Sequence, residues 1–74
     1  MEDDLNEFVF FRYAARNFCV RTSLVGNKDE LDSFLNDIQN EYARLNVNSP
    51  HHIIAVESYQ KALDAYRTAL TRLT

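Results

Sequence analysis

Residues 8–25, FVFFRYAARNFCVRTSLV, decide between two folds for this chain. As a helix, the segment carries Phe8, Phe11, Ala15, Phe18, Thr22 and Val25 at alternating steps of three and four, which is one continuous apolar stripe. A second stripe, Val9, Tyr13, Val20 and Leu24, falls on nearly the opposite side, with Phe10 off both. As strands, FVFFRY and FCVRTSLV are rich in aromatic and β-branched residues and would form a hairpin joined by AARN, giving an α+β fold of an N-terminal β-hairpin followed by two helices. The AARN link lacks Gly, Asp-Gly or Asn-Gly turn chemistry, and neither run alternates apolar with polar. The helical reading is therefore preferred. Asp4 with Glu7 forms a variant capping box just ahead of it, and Gly26, the only glycine, is placed where a left-handed C-terminal cap is expected.

Two further helices follow with less ambiguity. Asn27 with Glu30 is an N-terminal capping pair, Asp29 and Glu30 suit the helix dipole, and Leu31, Leu35, Ile38, Tyr42 and Leu45 form the apolar line, widened by Phe34. NVNS at 46–49 breaks the pattern. Ser49 then offers a cap and Pro50 a first helical position, where its missing N–H costs nothing. Beyond it Val56, Tyr59, Leu63, Tyr66, Leu70 and Leu73 draw a long stripe, flanked by Ala55, Ala62, Ala65 and Ala69, so the apolar face is wide enough for two neighbours. Short links favour antiparallel neighbours. The expectation is an all-α, up-down-up three-helix arrangement at about 5–25, 28–45 and 50–73, in one domain over 1–74, completed by oligomerisation.

The case for oligomerisation rests on size. A 74-residue domain buries only about 60% of the surface its unfolded chain exposes, and chains this small commonly need a staple. Cys19 is the only cysteine, so no intramolecular disulfide is available. His51 and His52 lack the paired spacing of a structural zinc site. A first helix that is apolar on two sides fits a sandwiched position, with one face on its own bundle and the other on a second chain. No apolar run approaches a membrane span and the start MEDDLNE is acidic, so a cytoplasmic location is expected.

Charge is uneven. Residues 1–26 hold four acids and three bases, 27–49 five and two, and 50–74 two and three, for the overall −3. This acidity, without a clustered basic patch, argues against nucleic acid as a partner, whose phosphates dominate affinity. A small DNA-binding transcriptional regulator presenting Arg12, Arg16 and Arg21 is the main alternative, and an immunity-type inhibitor of a toxin is another. Adjacent histidines point about 100° apart on a helix, so His51 and His52 read as solvated first-turn residues. Cys19, beside Phe18, reads as a small inert hydrophobe. No cofactor, metal or catalytic set is indicated.

YQKALDAY at 59–66, after a proline-started helix, resembles the corresponding helix of type III secretion needle subunits over about a dozen residues, although the aromatic first helix has no counterpart there. The reading from the residues is a non-enzymatic helical protein–protein interaction module, a small adaptor, chaperone-like or regulatory subunit, in a homo-oligomer or hetero-complex. Its contact residues are expected to be Phe8, Val9, Phe10, Phe11, Tyr13, Phe18, Val20 and Leu24.

Overall fold

The computed structural model describes residues 4–74, and residues 8–24 lie in a single helix with no strand anywhere among the described residues. Helix α1 spans Leu5–Leu24, α2 Lys28–Ala43 and α3 His52–Leu73. The first helix buries the stripe Phe8, Phe11, Ala15, Phe18 and Thr22, continued by Val25 just beyond its end. Thr22 enters this apolar line without an unsatisfied group, because its hydroxyl donates to the Cys19 carbonyl at 3.1 Å.

The ends of the helices differ in part from what their sequences suggest. Asn27 caps α2 as expected, its Oδ1 accepting the Glu30 N–H at 2.8 Å. Asp4 makes no side-chain cap to α1; its carboxylate instead accepts the Ser49 hydroxyl at 3.0 Å, which joins the start of the first helix to the start of the third. Gly26 takes no left-handed conformation, and α1 ends in extended backbone at Val25. The carbonyls left open there are met from the far end of the chain: Arg72 Nη2 donates to Thr22 O at 3.1 Å and to Val25 O at 2.8 Å. Ser49 does act as a cap, accepting the His51 N–H at 3.1 Å, but the turn it caps is tight and the regular helix begins two residues later than expected, at His52.

Because α2 returns the chain, α1 and α3 run in parallel: Phe8 meets His51 and His52 at one end, and Arg72 reaches Thr22 and Val25 at the other. Their contact is the most extensive in the molecule. It also reassigns the faces of α3. The fully buried line is the small-residue one, Ala55, Ser58, Ala62 and Ala69, whereas the large stripe is only half-buried. The cause is complementary size. Alanines let α3 approach α1 closely, and the bulk that fills the space comes from Phe8, Phe11 and Phe18. The large residues of α3 turn toward α2 instead, where Tyr59 stacks on Tyr42 with centroids 4.2 Å apart, and Tyr66, Leu70 and Leu73 close the end over Leu31. Val56 and Leu63, the remaining members of that stripe, join neither buried cluster.

Candidate interaction surface

With the core side of α1 assigned, the eight residues expected at a partner contact separate into two groups. Phe8, Phe11 and Phe18 are buried in the chain's own core and have almost no surface to offer in this conformation. Phe10, Tyr13, Val20 and Leu24 stand 73%, 56%, 61% and 80% exposed on the opposite side of the same helix. Val9 is half-buried. Sequence periodicity puts Val9 on the outer stripe and Phe10 off it; the structure places Phe10 at its head. The missed signal is that Phe10, Tyr13, Asn17, Val20 and Leu24 themselves recur at steps of three, four, three and four, a seam interrupted once by an exposed Asn.

Charged residues border this seam unequally. On the side facing α2 lie Glu7 and Arg21 with Ala14 midway between them. Arg21 sits with its guanidinium 5.7 Å from the Phe34 ring centroid, in a shallow hollow also lined by Asp37 and Glu41. Glu7 and Phe10 share a second hollow with Glu41 and Arg44. On the side facing α3, Arg12 and Arg16 gather with Lys61 around Cys19 and Ser58. The three arginines of the first helix are thus split between two flanks, and they present no common basic face.

The groups weighed for chemistry are half-buried rather than free in solvent. Cys19 Sγ is 3.8 Å from the Lys61 carbonyl, and burial pushes its thiol pKa up, against smaller opposing effects of its own backbone hydrogen bond and the Lys61 charge. A raised pKa disfavours the nucleophilic thiolate. His51 and His52 are not solvated as expected: both are half-buried, and His52 lies edge-on to Phe8 at 6.0 Å and beside Tyr42 at 5.6 Å, with a buried Nε2 that has no hydrogen-bond partner among the described residues. Among the described residues no three His, Cys, Asp or Glu side chains converge to hold a metal ion. No helix among them is long and apolar enough to cross a membrane.

The tyrosines of the second and third helices are used inside the bundle. Tyr66 Oη donates to Asp32 Oδ1 at 2.9 Å while Lys28 Nζ donates to Asp32 Oδ2 at 2.8 Å. Lys28 first and the Tyr66 hydroxyl second hold the Asp32 carboxyl below its usual range, and the same bond to Asp32 raises Tyr66. Tyr13 stands outside these contacts, exposed on α1. Comparison with protein-family models, with curated proteins and with solved structures gives no match to this chain.

Proposed function

We propose that this protein is a non-enzymatic interaction module that works by burying the outer face of α1 against another protein chain. One observation carries the reading: four large apolar side chains in line on a helix whose other face already forms the core. Together they expose roughly 500 Å² of mostly apolar surface, the size of the largest patch on a typical monomer, which is often a functional one. Aromatic residues at its head, Phe10 and Tyr13, suit the centre of an interface. A regulatory, adaptor or chaperone-like role in the cytoplasm would be exercised through this face.

The test is a comparison of tagged wild type with a tagged Val20→Asp variant whose helicity is verified by circular dichroism. Recovery from the native host should yield chains, untagged copies of the protein itself included, that the variant fails to retain. Identical recovery by both would refute the reading.

The DNA-binding alternative draws support from Arg12, Arg16 and Lys61 gathering on the α3 flank. An isolated trio on an acidic chain neutralises few phosphates, so that reading ranks second.

A further inference from the structure

We infer that the occupant of the outer face of α1 is a second copy of the same chain, docked antiparallel about a two-fold axis beside Ala14. The inference rests on the interaction-module reading and adds the partner and its orientation. Its first support is charge. Glu7 and Arg21 stand two helical turns to either side of Ala14 on the same edge of the seam, so a two-fold through Ala14 sets Glu7 of each copy against Arg21 of the other. Neither Glu7 nor Arg21 forms an ion pair among the described residues, and in the hollow beside Glu7 the charges of Glu41 and Arg44 offset each other, which leaves Glu7 as the group that the incoming Arg21 would meet. A parallel pair has the opposite character: with Phe10, Asn17 and Leu24 at one seam position and Tyr13 and Val20 at the other, Arg16 of one copy falls beside Arg21 of the next. The antiparallel arrangement leaves two like-charge meetings, Arg16 with Arg16 on the α3 flank, where both side chains reach water, and Arg21 with Arg44 beside Glu7.

Shape and area agree with this orientation. In the antiparallel register Phe10 packs on Val20, Tyr13 on Asn17, and Leu24 against Phe10 and the stem of Glu7, while the small side chain of Ala14 at the axis lets the helices approach. The polar Asn17 facing Tyr13 penalises registers that would bury it against Phe10 or Leu24. Complete burial of two such faces would remove about 1,000 Å², the lower limit for a specific association, which suits a weak, reversible dimer.

Sedimentation equilibrium of the full chain over a concentration series tests this, with circular dichroism verifying the fold of every variant. The expected result is a monomer–dimer equilibrium between 8.6 kDa and twice that mass. Val20→Asp should leave only monomer. Arg21→Glu should weaken the dimer by on the order of tenfold, and adding Glu7→Arg to it should restore the dimer, because the ion pairs re-form with their signs exchanged. A tighter dimer on Arg21→Glu would overturn the inference in favour of the parallel pair, where the introduced carboxylate would meet Arg16. A wild type that stays monomeric overturns self-pairing, and so does a dimer indifferent to Val20→Asp but broken by Ile53→Asp at the exposed start of α3. A monomer that still loses other chains on Val20→Asp would reject this inference while leaving the interaction-module reading intact.

Discussion

Although Arg72 is itself an exposed residue, replacing it by alanine should destabilise the fold more than the loss of a surface arginine ordinarily does. Its guanidinium donates from one nitrogen to two carbonyls at the end of α1, Thr22 O and Val25 O, in a partly buried setting. Without it those acceptors lose their protein partner, since Gly26 supplies no left-handed cap. Hydrogen bonds to a charged group contribute about 1.5–3 kcal/mol each when buried. Partial exposure and the cost of ordering a long side chain reduce the pair to about 2 kcal/mol in total. A chain of this length has roughly 4–11 kcal/mol to lose, so the change is large. It corresponds to a fall in Tm of roughly 8–16 °C. Urea denaturation followed by circular dichroism, at one fixed protein concentration so that self-association does not enter the comparison, measures it. Arg67→Ala is the control, because its only ion pair among the described residues is a 3.4 Å contact to Asp64 with both side chains more than 70% exposed, worth well under 1 kcal/mol. Equal midpoints for the two variants would refute the claim that Arg72 closes the end of α1.

Ser49→Ala should cost about 1 kcal/mol, the usual loss of a capping side chain, and slightly more because the hydroxyl also bonds Asp4; an unchanged denaturation midpoint would contradict this. Ala62→Leu, which forces bulk into the close α1 and α3 contact, should destabilise by about 1–3 kcal/mol, and Ala62→Asp should be worse than Leu63→Asp; the reverse order in denaturant would mean that the large stripe of α3, not the small one, faces the core. The lowered Asp32 carboxyl contributes stability that is present above the ordinary carboxylate range and lost as pH falls through its folded value, whereas the raised Tyr66 contributes stability present below the ordinary phenol range and lost as pH rises through its folded value. Ultraviolet titration should therefore show Tyr66 ionising late, a step that Tyr66→Phe should remove. The protein should show no salt-sensitive binding to duplex DNA in an anisotropy titration at moderate salt; micromolar binding abolished by Arg12→Ala with Arg16→Ala would make the basic flank the site.

What is legible in the chain by itself is what short-range physics controls. The helices and the apolar line of α1 follow from spacings within a few turns, and the Asn27 cap from a contact three residues away. From them follows an all-helical, three-element architecture with the first helix apolar on two sides. The choice between faces and between caps is made by tertiary structure. Nothing local distinguishes Ala55, Ala62 and Ala69 from the larger stripe beside them as the side that meets α1, because the answer depends on phenylalanines more than thirty residues earlier that need small neighbours. Gly26 has the composition of a terminator, yet the carbonyls it would have served are bonded by Arg72, 47 and 50 residues away along the chain. The histidines are ordinary first-turn residues until Phe8 and Tyr42 fold over them. Likewise the candidate surface narrows to Phe10, Tyr13, Val20 and Leu24 only when the core has taken Phe8, Phe11 and Phe18, since periodicity reveals that a helix has two apolar sides and packing alone decides which one stays exposed.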